Sequence, residues 1–112
     1  MSNSREVKIS KKKYPESAKH IENAIDDGQP DILTLDRGGA SSRRKAALKG
    51  VKRISGLDRD EYPPSMSKEG GFNSSVVHIN PPDNRGSGAS GAAQLRPYPD
   101  GTRFKYIIVD ED

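Results

Sequence analysis

The sequence predicts a small α+β domain whose strands are few and short. The 112 residues fit one domain, and 30% hydrophobic residues with 11 Gly and 8 Pro leave a thin core and much loop. Short apolar, β-compatible runs recur from residue 7 to residue 109, while helical spacing and helix stop signals mark the first half. The order read from these signals is β-α-β-α-β-β, then a Gly-rich helix or loop, then β.

Each element has a local reason. Val7 and Ile9 alternate with polar neighbours, which gives a short strand with one wet face. Tyr14-Pro15-Glu16 reads as a helix start, because proline suits the first turn and an acid suits the positive end of the helix dipole. Ala18, Ile21, Ala24 and Ile25 then share one stripe until Gly28 and Pro30, so a helix is expected over 15–27. Residues 32–35 form a β-compatible run closed by a turn at 36–39. A second helix is expected from Ser41 or Ser42, both good N-caps, through Leu48 to Gly50. Residues 57–61 stop at Tyr62-Pro63-Pro64, where paired prolines forbid a continuing central strand. Ser75–Ile79 is the clearest strand of the middle region, and 102–109 is a good terminal strand after the turn at 98–101. Between them, 83–95 is rich in Gly, Ser and Ala. Propensity alone makes it a linker, since each glycine costs about 1 kcal/mol relative to alanine in a helix.

Composition removes several function classes. No apolar stretch approaches the roughly 20 residues of a membrane span. The polar start lacks the apolar segment of a signal peptide, so no secretion address is expected in this stretch. The absence of cysteine excludes a disulfide framework, a zinc knuckle and a thiol nucleophile. Nineteen Lys and Arg against 16 Asp and Glu give a net charge of +3, a weak tilt toward a polyanionic partner. The densest basic block is Arg43, Arg44, Lys45 and Lys49, with Lys52 and Arg53 just beyond; it is either a nucleic-acid contact surface or an ordinary solvated helix face.

Two short runs could carry chemistry. Asp58-Arg59-Asp60-Glu61 crowds three carboxylates, which repel unless a metal or an arginine holds them; the run is either a solvated acidic turn or a water-activating, hard-metal site. Asp83-Asn84-Arg85-Gly86 offers a neutral oxygen ligand and a guanidinium suited to phosphate, or else an Asx turn after the prolines. His20 reads as a surface or packing residue of the first helix. His78 lies on a strand near the acidic run, and a base role stays open for it. Ser74 and Ser75 beside it lack the spacing of a relay.

Taken in order, Asp58-Arg-Asp-Glu-Tyr-Pro63, Glu69-Gly-Gly71, Asp83-Asn-Arg-Gly86 and Tyr98-Pro-Asp-Gly-Thr-Arg103 resemble the successive motifs of the NucA/NucB deoxyribonucleases. Tyr14-Pro-Glu through His20-Ile21, and Arg43-Arg44 through Leu48-Lys49, match the N-terminal half of that family, so the resemblance covers about residues 13–109. It implies a ββα-metal nuclease domain over 13–112, preceded by a polar arm at 1–12 with a short strand. The architecture is then a short central antiparallel sheet with flanking helices. A hairpin presents the general base, and a helix over about 84–95 presents Asn84 to one divalent metal, Mg²⁺ or Mn²⁺. By this resemblance Asp60 is the leading base and Glu61 the second. Asn84 and Gln94 lie on the metal side, and Arg59 or Arg85 adds charge at the transition state. Arg43, Arg44, Lys49, Lys52 and Arg53 are the expected nucleic-acid contacts.

The implied activity is a metal-dependent, largely sequence-nonspecific endonuclease acting on double-stranded DNA. The alternative is a non-catalytic nucleic-acid-binding module of the same fold. Secreted members carry a cysteine pair where this chain has Leu33 and Ser67, and a tryptophan where it has Tyr62. The missing pair points to a reducing setting or a domain released from a larger precursor. A secreted or delivered bacterial toxin module, silenced by a protein inhibitor, fits that departure; a cytoplasmic setting stays open, and no membrane partner is expected.

Overall fold

The computed structural model describes residues 4–111. The first three residues of the polar arm lie outside them. The elements run β1 (Arg5–Ser10), α1 (Pro15–Asp26), β2 (Leu33–Thr34), a 3-10 turn (Arg37–Gly39), α2 (Ala40–Leu48), β3 (Asp58–Tyr62), β4 (Ser75–Ile79), α3 (Pro81–Leu95) and β5 (Arg103–Val109). This is the expected α+β domain. Its first sheet has the order β1-β5-β2, with β1 parallel and β2 antiparallel to β5; β3 and β4 form a separate antiparallel pair. The three-stranded sheet is therefore mixed rather than antiparallel, and its parallel pairing puts the N-terminal strand beside the C-terminal one.

Alternation along β1 buries Val7 and Ile9 in the core, where they meet Ala18, Ile21 and Ala24 of α1, Leu33 and Leu35, Tyr62, Leu95 and Phe104. Helix α2 starts differently from the sequence expectation. The chain enters it through the 3-10 turn, whose Arg37 bonds Asp100 Oδ1 through its main-chain N–H (3.1 Å) and its guanidinium (3.2 Å). Gly39 is therefore the N-cap, and Ser41 and Ser42 fall inside the first helical turn.

The Gly-rich run is a helix, as the resemblance implied and propensity did not. Tertiary contacts supply what propensity lacks. A Cβ on Gly86 would sit 2.4 Å from the Tyr14 ring, so α3 approaches the start of α1 as closely as glycine allows. One turn on, the Ser17 and Ser87 hydroxyls are hydrogen-bonded at 2.7 Å.

Two acids exchange places to cap these helices. Neither α1 nor α3 has a side-chain cap of its own. Asp83, in the first turn of α3, accepts the N–H groups of Glu16 (2.9 Å) and Ser17 (3.0 Å), which are orphan donors at the start of α1. Glu16 in turn accepts the N–H of Asn80, the N-cap of α3, at 2.7 Å. Pro81 and Pro82 present no N–H at the next two positions, so the start of α3 is well matched to one acceptor.

Asp83→Ala is expected to lower stability by about 2–3 kcal/mol, the cost of leaving buried amide donors without a partner. Chemical denaturation checks this. A change below about 0.5 kcal/mol, the size of an ordinary surface substitution, would remove the cap from this role.

Candidate active site

The β3–β4 hairpin divides its residues by the two-residue period of a strand. Asp58, Asp60 and Tyr62 share one face with Ser75, Val77 and Ile79, the residues opposite them in register. That face packs against α1 and α3. Arg59 and Glu61 share the other face with Val76 and His78. The four-residue acidic run is thus split, and its carboxylates face different surroundings.

On the first face, Asp58 accepts hydrogen bonds from Asn84 Nδ2 (3.1 Å) and from both Arg85 Nε (3.0 Å) and a terminal nitrogen of Arg85 (3.1 Å). The Arg85 hydrogen bond, then that of Asn84, holds the Asp58 carboxyl below the ordinary carboxylate range. Asp60 Oδ2 is 2.7 Å from His20 Nδ1 of α1, and no hydrogen bond to its Oδ1 occurs among the described residues. On the second face, Glu61 is ion-paired with Arg44 at 3.1 Å and accepts a hydrogen bond from the Ser65 hydroxyl. Arg59 donates to the main-chain carbonyl of Val51 at 3.1 Å, and His78 Nε2 bonds the carbonyl of Lys52 at 2.6 Å. Asp60 is the less committed of the two adjacent acids.

Asp60 and Asn84 line a cavity of about 160 Å³, together with Ser87, Tyr62 and Tyr106 and bordered by Glu61. Burial raises the phenols of Tyr62 and Tyr106 well above their usual range, so both stay neutral. Beside it opens a polar cleft of about 460 Å³ lined by Arg44, Arg53, Arg59 and Arg85, with Asp58 and again Asn84. Asn84 belongs to both walls. With its Nδ2 donated to Asp58, its Oδ1 is left as an acceptor at the junction.

No protein-family model matches this chain. The chain is similar to the DNA-entry nuclease of Bacillus subtilis (strain 168). The two are 49% identical over 96 residues, which is 86% of this chain and 65% of that protein.

The structure brings Asp58, Asp60, Asn84 and Arg85 together and leaves two nominated residues elsewhere. Gln94 is turned away from Asn84: its Oε1 accepts the N–H of Lys8 and its Nε2 donates to the Lys8 carbonyl, each at 2.8 Å. Both amide atoms act as a strand partner on the open edge of β1, and Gln94 lines neither the cavity nor the cleft that Asn84 borders. Arg43 points inward. Its guanidinium bonds Asp36 at 2.9 Å and the carbonyl of Ser65 at 2.8 Å, which ties α2 to the loops around it. Lys49 borders a shallow groove with Arg44 and Arg59, and Lys52 and Arg53 are exposed. His20 is the residue that sequence reasoning undervalued. It falls on the buried stripe of α1, four residues before Ala24, and that spacing gave no sign of a partner 40 residues away.

Because the Asp58 pKa is lowered on folding, the stabilisation from its pairing is present above the unfolded carboxylate pKa and is lost as pH falls through the folded value. Carboxyl ¹³C titration should therefore place the Asp58 midpoint below about 3.9. In Arg85→Ala it should move up toward that value. An unmoved midpoint would separate the two side chains.

Proposed function

We propose that this domain is a metal-dependent endonuclease that hydrolyses DNA without strong sequence preference. The observation that carries the reading is Asn84, which joins a carboxylate-bearing cavity to a cleft lined by four arginines. The similarity to a protein named for DNA-entry nuclease activity supports it. We place the chain with the NucA/NucB deoxyribonucleases on that similarity and on the ordered motifs.

Asp60 is the general base. An ionised carboxylate accepts a proton at neutral pH, and Oδ1 is its oxygen without a protein partner. It takes a proton from a water in the cavity as the hydroxide oxygen bonds to phosphorus and the P–O3′ bond breaks; the departing oxygen is protonated from solvent. Arg85, held in orientation by Asp58, and Arg59 face the cleft in which phosphate charge would accumulate. Glu61 orders Arg44 rather than competing for the proton.

A hard divalent cation, Mg²⁺ or Mn²⁺, suits the oxygen-only donors at this junction, with Asn84 Oδ1 as its protein ligand and water and phosphate completing the shell. Among the described residues no group of three or more His, Cys, Asp or Glu is arranged to hold a metal; the reading assigns the ion one amide ligand. When bound, such an ion supplies Lewis-acid stabilisation of the phosphate and the leaving oxygen. A secreted or delivered setting, with an inhibitor in the producing cell, is part of this reading. No described helix is long and apolar enough to cross a membrane.

Supercoiled plasmid should be degraded with Mg²⁺ or Mn²⁺ and remain intact with EDTA. Asp60→Asn and Asn84→Ala should each lower the rate by about 100-fold or more with unchanged circular dichroism. Binding without turnover under every metal would favour the non-catalytic alternative.

Affinity should fall with salt, and Lys49→Ala or Arg53→Ala should each reduce the slope of log K against log salt by about one, uniformly across sequences. Arg43→Ala should instead lower the melting temperature and leave that slope unchanged. An altered slope in Arg43→Ala would return this residue to the binding surface.

A further inference from the structure

We propose that His20 is a positioning residue for Asp60, and that Ser75 anchors the far side of its ring. The inference rests on the reading of Asp60 as the general base and identifies what holds that base in place. His20 lies on α1, its side chain only 3% exposed, while that of Asp60 is 18% exposed. The imidazole spans the hairpin: Nδ1 is 2.7 Å from Asp60 Oδ2 on β3, and Nε2 is 3.0 Å from Ser75 Oγ on β4. Both partners lie on the face that meets α1, so one rigid ring couples the helix to both strands.

The chemistry of the three groups assigns the protons. A carboxylate only accepts, so Nδ1 must carry the hydrogen that faces Asp60. In neutral His20 the unprotonated Nε2 then accepts from the Ser75 hydroxyl. The ring is too buried to meet DNA, and its Nδ1–H stays in place while Asp60 works through its other oxygen. By holding Oδ2, His20 fixes the torsion of a short side chain and aims Oδ1 toward the cavity shared with Asn84. A carboxylate free to rotate would present that oxygen for only part of the time. The arrangement is an acid–imidazole–hydroxyl string in which the acid is the reacting end and the imidazole its orienter.

The first test needs neither activity nor a variant. Long-range ¹H–¹⁵N correlation spectra should show His20 protonated at Nδ1, as the neutral Nδ1–H tautomer or as the imidazolium. His78, whose Nε2 meets the Lys52 carbonyl, should be protonated at Nε2 and supplies the contrast. Neutral His20 with its proton on Nε2 would overturn the proposal. The second test is kinetic, on plasmid DNA with Mg²⁺. His20→Ala and His20→Leu should lower kcat about 10- to 100-fold with KM little changed, the range found when groups that orient a reacting side chain are removed. His20→Asn, whose amide nitrogen falls near the position of Nδ1, should recover most of that loss. Ser75→Ala should cost about threefold to tenfold, because one of the two hydrogen bonds that hold the ring is lost while the Asp60 contact remains. Undiminished kcat in folded His20→Ala, or no recovery in folded His20→Asn, overturns the role. If the parent protein itself cuts no DNA, the reading of Asp60 fails and takes the catalytic part of this proposal with it, whereas the proton position on Nδ1 is decided by the spectra alone.

Discussion

The exchange of acids between Asp83 and Glu16 sets the geometry on which the site depends. Each acid caps the helix that the other belongs to, so α1 and α3 meet start to start with their dipoles answered by a neighbour's carboxylate. Helix α1 carries His20 to one strand of the hairpin, and α3 carries Asn84 and Arg85 to the same strand two residues away. If the helices slid past each other by one turn, about 5.4 Å, neither contact could form. The close approach at Gly86 forbids a bulkier residue there and keeps the two starts in one register.

A small apolar core makes such polar ties necessary. Among the described residues, ten buried ones form the hydrophobic cluster. Around it, side chains repeatedly complete main-chain hydrogen bonding that longer sheets would satisfy by themselves. Gln94 closes the open edge of β1 at Lys8, and Glu69 accepts both the N–H (2.7 Å) and the hydroxyl (2.9 Å) of Thr34 on the two-residue strand β2. Among the described residues no buried side-chain polar atom lacks a partner. An amide or carboxylate used in this way stabilises the fold only while it stays paired, so these positions tolerate change less than their polarity suggests.

Local signals made much of the fold legible. The apolar stripe of α1, the alternation in β1 and the proline stops around β3 and β4 each act within a few residues, and the structure follows them closely. Helix α3 was legible only through resemblance, since its stability comes from Tyr14, Ser17 and Glu16, all more than 60 residues earlier in the chain. The same limit separates the site residues. Asp60 and Glu61 are indistinguishable as neighbours in a string. The period of a strand divides them, but only knowledge of which face meets α1 says which acid is held by His20 and which by Arg44. His20, read as a surface or packing residue, is buried, and its carboxylate partner was hidden for a related reason: a histidine on a helix looks alike whether its ring meets solvent or a carboxylate brought in by another element.

Charge close in sequence is likewise not charge close in space. The basic block of α2 loses Arg43 to the interior, while Arg85, far along the chain, joins Arg44, Arg53 and Arg59 in one cleft. Two of those four arginines already have carboxylate partners, Glu61 for Arg44 and Asp58 for Arg85. The pairs weaken the net field of the cleft, and they also hold the guanidinium planes in orientation before an anion arrives. Arg85 is 74% exposed, so without Asp58 its long side chain would sample many rotamers in water. Arg85 gives Nε and one terminal nitrogen to Asp58, so its remaining N–H groups are the ones left for an anion in the cleft. Under the proposed reading, attraction is independent of base identity, because the oriented groups address the backbone charge that every sequence shares.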